Sequence, residues 1–270
     1  MCGGKDVFMN IQAVFFDIDG TLVSFETHHV PDSTRRALEA LRARGVRLFL
    51  ATGRAPTELA FLQKELSISF DGVVALNGQY CMLEERVVYQ RPIPTDSLAQ
   101  LLPYLEESGI ACDFVELGYF YLSRITPQVH AVRALLGDTI THEPIDDPRR
   151  IFTHDTYQLC AFLDEADEPA FFAHLPGCRS ARWNPLFTDV IPADGGKPVG
   201  IQKLLDACGI PLAQTMAFGD GGNDKEMLEA VGLGVAMGNA VPAVKAAADY
   251  VTADVDSDGI LHALQHFGLL

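Results

Sequence analysis

The sequence is short of positive charge. Its 270 residues include 20 lysine and arginine side chains against 36 aspartate and glutamate side chains, a formal net charge of −16 at pH 7. A surface with this charge repels nucleic acids and anionic membranes. We therefore expect neither of them as a partner. A small anionic substrate then needs a local positive centre, either a metal ion or a lysine.

Zinc-binding clusters and long apolar runs are also missing. The six cysteines are scattered, with no CxxC pair and no cysteine and histidine group at zinc spacing, which favours reduced thiols. No apolar run reaches the length of a membrane-spanning helix, and residues 1–10 contain no stretch that resembles a secretory signal. The P-loop motif of nucleotide-binding proteins is absent. The absent P-loop argues against nucleotide chemistry of that kind, whereas reduced thiols and the lack of a signal or a membrane span predict a cytoplasmic protein.

The chain does have a regular alternation of apolar strands and helical patterns. With 48% hydrophobic and 21% charged residues it is typical of a globular protein. The pattern predicts strands over 13–16, 46–51, 72–76, 215–218, 234–237 and 250–252, and helices over 32–44, 57–66, 199–208 and 225–230. This order is the signature of βαβ units around a parallel sheet, so we predict an α/β fold.

The middle of the chain follows a different pattern and indicates an inserted α+β module. Short strands are predicted over 112–116, 119–123 and 157–162, and helices over 95–107, 128–136 and 165–174. Prolines mark the edges, with Pro92 and Pro94 at the entry and Pro185 at the exit. We therefore expect residues 91–186 to form the insertion, and residues 1–90 and 187–270 to form one discontinuous core.

Two acidic segments follow apolar strands of the predicted core. Asp17 and Asp19 come directly after the first strand, and the loop from Asp220 to Asp224 follows another. Carboxylates two residues apart on an extended segment point to the same side, and ligands bind at the carboxyl ends of strands in open α/β sheets. Several carboxylates at one place repel one another unless a cation lies among them, and oxygen-only ligands favour Mg²⁺. The sequence predicts a magnesium-dependent enzyme that acts on phosphate esters.

Four short motifs occur in a characteristic order: FDIDGT at residues 16–21, ATGR at 51–54, GGK at 195–197 and GDGGND at 219–224. Together they resemble the haloacid dehalogenase superfamily of aspartate-nucleophile phosphatases, in particular its Cof-type branch. That branch carries a cap between the second and third motifs, and the long interval between Thr52 and Lys197 leaves room for one. The resemblance implies a Rossmann-like, doubly wound, mainly parallel sheet with an inserted α+β cap that sets substrate specificity.

The resemblance also implies catalytic roles. Asp17 is the nucleophile that attacks phosphorus and forms an aspartyl-phosphate, and Asp19 is the acid and base that protonates the leaving group and then activates water. The implied Mg²⁺ site consists of Asp17, Asp19 through its backbone carbonyl, Asp220 and Asp224. Of these, Asp224 is better placed to hold Lys197 than to bind the metal directly.

The remaining implied residues bind the substrate: Thr52, Gly53, Arg54, Asn77, Lys197 and Asn223. The Thr52 hydroxyl and the Gly53 N–H hydrogen-bond the phosphoryl oxygens, and Lys197 supplies a positive charge, so that Thr52 and Lys197 also count as catalytic. Two alternatives stay open for Arg54, a contact with the cap or phosphate and an ordinary salt bridge at a helix start. Asn77 either faces the substrate or belongs only to a turn.

The leading hypothesis is a Mg²⁺-dependent phosphatase that hydrolyses small phosphate monoesters, with a sugar phosphate as the expected substrate. A sugar-phosphate phosphomutase is an alternative. A non-catalytic, receiver-like phosphate-binding module is another, although receiver domains are shorter and lack an inserted cap. The single tryptophan, Trp183, is interpreted as core packing in preference to a platform for a sugar ring.

Overall fold

The computed structural model describes residues 10–66, 68–136 and 143–270. The described strands are β1 (Ala13–Phe16), β2 (Arg47–Ala51), β3 (Gly72–Ala75), β4 (Tyr80–Leu83), β5 (Arg86–Gln90), β6 (Ala111–Val115), β7 (Phe120–Leu122), β8 (Gln158–Phe162), β9 (Cys178–Asn184), β10 (Phe187–Pro192), β11 (Thr215–Gly219), β12 (Leu233–Ala236) and β13 (Tyr250–Val251). The helices are α1 (Asp32–Ala43), α2 (Leu62–Glu65), α3 (Thr95–Ser108), α4 (Pro127–Leu136), α5 (Glu168–Ala173), α6 (Lys197–Cys208), α7 (Lys225–Ala230), α8 (Pro242–Ala247) and α9 (Gly259–His266).

The first sheet has eight strands in the order β13-β12-β11-β1-β2-β3-β4-β5. The strands from β13 to β3 are parallel, and β4 and β5 extend the sheet as an antiparallel hairpin. Helices cover both faces: α1 and α9 pack on one, α6 and α7 on the other. Strands buried on both faces are apolar throughout, which is why the sequence predicted them. The α/β class with a doubly wound, mainly parallel sheet is confirmed.

The β4–β5 hairpin and the helix expected over residues 57–66 depart from the sequence prediction. The hairpin turns at Glu84, which adopts a left-handed φ of 56° without the asparagine or glycine that usually signals such a turn. The helix is divided into a 3₁₀ turn over Pro56–Leu59 and the short α2. The tighter turn lets the Glu58 carboxylate accept a hydrogen bond from the Ala55 N–H at 2.8 Å.

The second sheet is antiparallel and has five strands in the order β7-β6-β8-β10-β9. One of its faces packs on α3, α5 and their neighbours around Phe114 and Phe171. The expected boundary between residues 186 and 187 needs correction here. Strand β10 pairs with β8 and β9, so the chain returns to the first sheet only after Pro192. The residues of β10, Thr188 and Val190 among them, do not indicate which of the two sheets the strand joins.

Two features bear on the expected location of the protein. No helix in the described ranges is both long and apolar enough to cross a bilayer. The cysteines that the structure describes are free: Cys81, Cys112, Cys160, Cys178 and Cys208. Cys2 lies outside the described residues.

Candidate active site

The carboxyl ends of β1 and β11 bring the two acidic motifs together. The strands are parallel neighbours, and the Asp17 N–H donates to the Phe218 carbonyl at 3.0 Å. Between them the chain turns at Gly20, whose φ is 84°. A Cβ at this position would lie 2.2 Å from Oδ2 of Asp220. Only glycine therefore allows the first motif to pack against the second.

Lys197, the first residue of α6, links two of the carboxylates. Its Nζ donates to Oδ1 of Asp17 at 2.6 Å and to Oδ1 of Asp224 at 2.5 Å, while the residue itself is only 1% exposed. Burial alone lowers the pKa of Lys197, but the charges of Asp17 and Asp224 outweigh burial and hold that pKa above its ordinary value. The lysine is therefore a fixed positive charge at the base of the site.

Asp220 faces the same point from the β11 loop. Its Oδ1 accepts a hydrogen bond from the Thr21 hydroxyl at 2.8 Å. Asp224 holds the loop in shape, because its Oδ2 accepts the backbone N–H groups of Asp220 and Gly221, each at 3.0 Å. The expectation that Asp224 contacts Lys197 agrees with this geometry, in which each carboxylate oxygen of Asp224 already has a partner.

The arrangement of the carboxylates fits a divalent cation. Ligand oxygens of Asp17, Asp220 and Asp224 lie within 4.8 Å of one another, and all three residues are buried. Burial raises the pKa of Asp17 and of Asp220, and repulsion among the three carboxylates raises both further. One lysine offsets only part of this negative charge. A hard cation with oxygen ligands is the group whose charge would relieve the rest.

Asp19 lines the same cavity and pairs with Arg54. Nε of Arg54 donates to Oδ2 of Asp19 at 2.7 Å, and Nη2 donates to Oδ1 at 2.8 Å. The guanidinium also lies over the ring of Phe61, with 5.0 Å between its central carbon and the ring centroid. Of the alternatives left open for Arg54, the structure shows a salt bridge. Its partner is Asp19, the residue expected to act as acid and base. A two-point pair of this kind fixes the orientation of the Asp19 carboxylate.

Thr52 and Gly53 directly follow strand β2 and line the same cavity as the acidic group. The buried Thr52 hydroxyl accepts the N–H of Arg54 at 3.1 Å, which leaves its own O–H free to donate to a ligand. Gly53 lies against the second sheet, since a Cβ there would lie 3.0 Å from Oδ2 of Asp189. A side chain at this position would crowd Asp189 and Asn77.

Asn77 lies in a turn, one of the two alternatives left open for it, and contacts the second sheet. It is buried, with a left-handed φ of 50°, and its amide N donates to Oδ2 of Asp189 at 2.8 Å and to Oε1 of Gln158 at 3.0 Å. Its side-chain Oδ1 accepts a hydrogen bond from Nδ2 of Asn223 at 2.9 Å. The amide thus joins the first sheet to β8 and β10, and it holds the Asn223 side chain at the rim of the site.

A cavity of about 970 Å³ lies between the two sheets. Asp17, Asp19 and Asp220 line it on the side of the first sheet, and Asp113 and Trp183 line it on the side of the second. The expected core packing of Trp183 accounts for only part of its surroundings. Its ring packs edge-on against Phe187, with centroids 4.9 Å apart, while its Nε1 donates to Asp189 at 3.3 Å.

Two cavity-side aspartates were missed in the sequence. Asp113 on β6 and Asp189 on β10 both stand opposite Cys160 of β8, so they form one row across the second sheet. Asp113 is the one polar residue of β6, and Asp189 is a charged residue in β10, where Thr188 is the other polar residue. A buried polar residue in an apolar pattern is the informative exception, and this signal could have found both. No local pattern in the sequence indicates that this row faces the first sheet.

The chain matches the family model of haloacid dehalogenase-like hydrolases over residues 14–264. It is 36% identical over 262 residues to the protein YkrA of Bacillus subtilis (strain 168), which spans 97% of this chain and 100% of YkrA. HMP-PP phosphatase of Klebsiella pneumoniae (strain 342) is 27% identical over 259 residues, 93% of this chain and 94% of its own length.

Solved structures agree with these relatives. The HAD subclass IIB sugar phosphatase BT4131 superposes with a TM-score of 0.88 at 40% identity, over 96% of this chain and 100% of its own. The match covers both sheets of this chain. This chain belongs to the haloacid dehalogenase-like hydrolase family.

Proposed function

We propose that this hydrolase is a Mg²⁺-dependent phosphatase that cleaves small phosphate monoesters, sugar phosphates in particular, through an aspartyl-phosphate on Asp17. The observation that carries the proposal is the convergence of Asp17, Lys197 and Asp220 at one end of a cavity large enough for a small metabolite. The names of a sugar phosphatase and of HMP-PP phosphatase among the similar proteins support the phosphatase class.

The metal site is proposed on the carboxylates of Asp17 and Asp220 and the backbone carbonyl of Asp19. Asp224 stands beside them and holds Lys197. When bound, Mg²⁺ supplies positive charge that offsets the repulsion between these carboxylates and the phosphate ester.

Each of these side chains has its own role in the proposed reaction. An oxygen of Asp17 attacks phosphorus, the bond from phosphorus to the ester oxygen breaks, and the electron pair leaves with the alkoxide, which takes a proton from Asp19. Water then attacks the phosphorus of the aspartyl-phosphate while Asp19 accepts its proton, and Asp17 is released with inorganic phosphate. Thr52 and Lys197 donate hydrogen bonds to the phosphoryl oxygens, on which negative charge is concentrated in both steps.

The test is phosphate release in the presence of Mg²⁺ across sugar phosphates, nucleotides and phosphorylated cofactors, with wild type, Asp17→Asn and Asp206→Asn. We expect Asp17→Asn to lower the rate at least about a thousandfold, because a carboxamide is not a nucleophile. Asp206 is an exposed aspartate on α6 and serves as the matched control. Chelation of Mg²⁺ should stop the wild type. Full activity of Asp17→Asn would overturn the proposal.

The same assay separates the phosphatase from its enzymatic alternative. A phosphomutase would release little phosphate and would depend on a bisphosphate activator.

We also propose that the protein acts in the cytoplasm, since the described cysteines are free thiols and a reducing compartment keeps them so.

A further inference from the structure

The position of Lys197 depends on the turn that precedes it, because α6 begins at this residue without a side-chain cap. The turn consists of Gly195 and Gly196, and Gly196 has a φ of 134°, which residues with a side chain rarely adopt. Glycine also has more backbone freedom than any other residue. Contacts from other segments must therefore hold the two glycines, and with them Lys197, in place.

One of these contacts comes from the second sheet. Nη2 of Arg179, on β9, donates to the Gly195 carbonyl at 2.9 Å and to Oε2 of Glu226 at 2.7 Å. The guanidinium lies so close to the turn that a Cβ at Gly196 would be 2.6 Å from the same nitrogen. Because a hydrogen bond from a charged donor is stronger than one between neutral groups, a single atom of Arg179 restrains the turn in front of Lys197.

Glu226 extends this contact to the acidic loop. It is the second residue of α7, and α7 directly follows Asp224, whose carboxylate accepts a hydrogen bond from Lys197. Arg179 and Lys197 therefore join the same two segments, the start of α6 and the start of α7. The connection through Lys197 is buried, whereas the one through Arg179 is partly exposed.

Strand β9 also packs directly on the acidic loop. A Cβ at Gly222 would lie 2.4 Å from the Arg182 carbonyl oxygen. The strand that carries Arg179 is thus in contact with the loop that carries Asp220 and Asp224. A group held on a strand is placed more exactly than one on a loop, so β9 gives Arg179 a fixed position relative to the site.

We propose that Arg179 is a positioning residue for Lys197. By holding the Gly195 carbonyl and Glu226 together, it keeps the Lys197 ammonium at its place among the carboxylates. Arg179 is not among the residues that line the cavity, so it acts on the substrate only through Lys197. The proposal rests on the phosphatase function proposed above, in which Lys197 donates to the phosphoryl oxygens.

Three variants test this role. Arg179→Met keeps a long side chain and removes both hydrogen bonds. Arg179→Lys keeps a charged nitrogen, and one ammonium has enough donors to reach both acceptors, as Nη2 of the arginine does. The double variant Arg179→Glu with Glu226→Arg keeps an ion pair but places a carboxylate beside the Gly195 carbonyl.

The matched control is Arg42→Met. Arg42, on α1, also donates to a backbone carbonyl and a carboxylate, those of Ser69 and Asp71. Its side chain is 36% exposed, against 30% for Arg179, and it lies outside the cavity lining. Thermal melting checks that each variant is folded.

Two measurements are made on every variant. Steady-state kinetics with Mg²⁺, on p-nitrophenyl phosphate and on the best substrate of the screen above, give kcat and KM. Hydrogen exchange followed by mass spectrometry gives the protection of the first turn of α6, where the N–H groups of Val199 and Gly200 donate to the Gly196 carbonyl at 3.1 and 3.3 Å. The exchange measurement requires neither metal nor substrate.

Arg179→Met is expected to lower kcat about tenfold and to change KM less than about twofold, since Lys197 acts mainly on charge that is concentrated in the transition state. The first turn of α6 should exchange about tenfold faster, because local opening there becomes easier. Arg179→Lys restores kcat and protection to within about threefold of wild type, because a charged donor is kept. The charge-reversed pair restores neither, since the Gly195 carbonyl has lost its donor. Arg42→Met leaves both unchanged.

The inference is overturned if Arg179→Met keeps the wild-type kcat or the wild-type protection, or if Arg42→Met lowers both to the same extent. Recovery in the charge-reversed pair would also overturn it, because the ion pair alone would then account for the effect. In each of these cases the phosphatase proposal stands. If the wild type with Mg²⁺ cleaves no ester of the screen, the proposed function fails, and the positioning role falls with it even where the Arg179 variants lose protection.

Discussion

Asp17 and Asp19 are two residues apart on one strand end, yet their partners are opposite in character. Asp17 meets a lysine and two further carboxylates, whereas Asp19 accepts hydrogen bonds from Nε and Nη2 of Arg54. The first environment suits a carboxylate whose charge is needed at phosphorus. The second holds the Asp19 carboxylate in one orientation. An acid and base that must reach the leaving oxygen needs such a fixed orientation.

Thr21 is a single residue whose effect on the metal can be isolated. Its hydroxyl donates to Oδ1 of Asp220 at 2.8 Å and is fully buried. We expect Thr21→Val to weaken the apparent affinity for Mg²⁺ about tenfold, because a hydrogen bond that orients a metal ligand is lost while the volume is kept. The measurement is phosphate release as a function of Mg²⁺ concentration.

Thr215→Val is the matched control for this substitution. Thr215 is also buried, lies at the other end of β11 from Asp220, and donates to the Leu212 carbonyl at 2.7 Å. The Thr215→Val substitution should lower the free energy of unfolding somewhat and leave the Mg²⁺ dependence of phosphate release unchanged. An equal shift in both variants would mean that Thr21 acts through general stability and not through Asp220.

At the scale of elements, the strand ends were predictable and the contacts between the sheets were not. Short apolar runs followed by Asp17, Thr52 and Asp220 indicate strands of a parallel sheet, and parallel strands place their carboxyl ends on one edge. These are local patterns. The side-chain contacts of Asn77 depend on Gln158 and Asp189, which are distant in sequence and belong to the second sheet. No local pattern encodes that pairing.

Asn77 connects the two sheets, and its side chain can be removed without disturbing its backbone. Because its φ is 50°, glycine is the substitution that keeps this conformation. We expect Asn77→Gly to lower the free energy of unfolding by about 1–3 kcal/mol, since the buried carboxylate of Asp189 loses a donor. Urea denaturation at pH 7 measures the change.

Alanine at the same position provides the comparison. Asn77→Ala loses the same hydrogen bonds and in addition places a Cβ in the left-handed region, which costs about 1–2 kcal/mol more. The difference between the two variants therefore reports the backbone, and the glycine variant reports the side chain. Wild-type stability of Asn77→Gly would show that the amide does not hold the sheets together.

At the scale of the whole molecule, the two sheets enclose the site between them. Gln158 donates to the Gly53 carbonyl at 3.3 Å, and Asp189 accepts from Asn77, so polar contacts seal the edge of the cavity next to the phosphate-binding turn. Such closure keeps water from the reacting groups. Charge buried at this junction therefore affects the stability of the whole fold.

Asp189 makes that stability depend on pH. Burial raises its pKa from 3.8 to about 7, although hydrogen bonds from Asn77 and Trp183 oppose the shift. Between these two values the folded protein binds a proton that the unfolded chain releases, so the free energy of unfolding falls as pH rises through this window. We expect the advantage of wild type over Asp189→Asn to shrink by about 1 kcal/mol per pH unit there. Urea denaturation from pH 4 to pH 8 in chelator measures it for both proteins, since the remaining carboxylates titrate alike in each and cancel in the difference. Parallel curves would contradict a raised pKa at this junction.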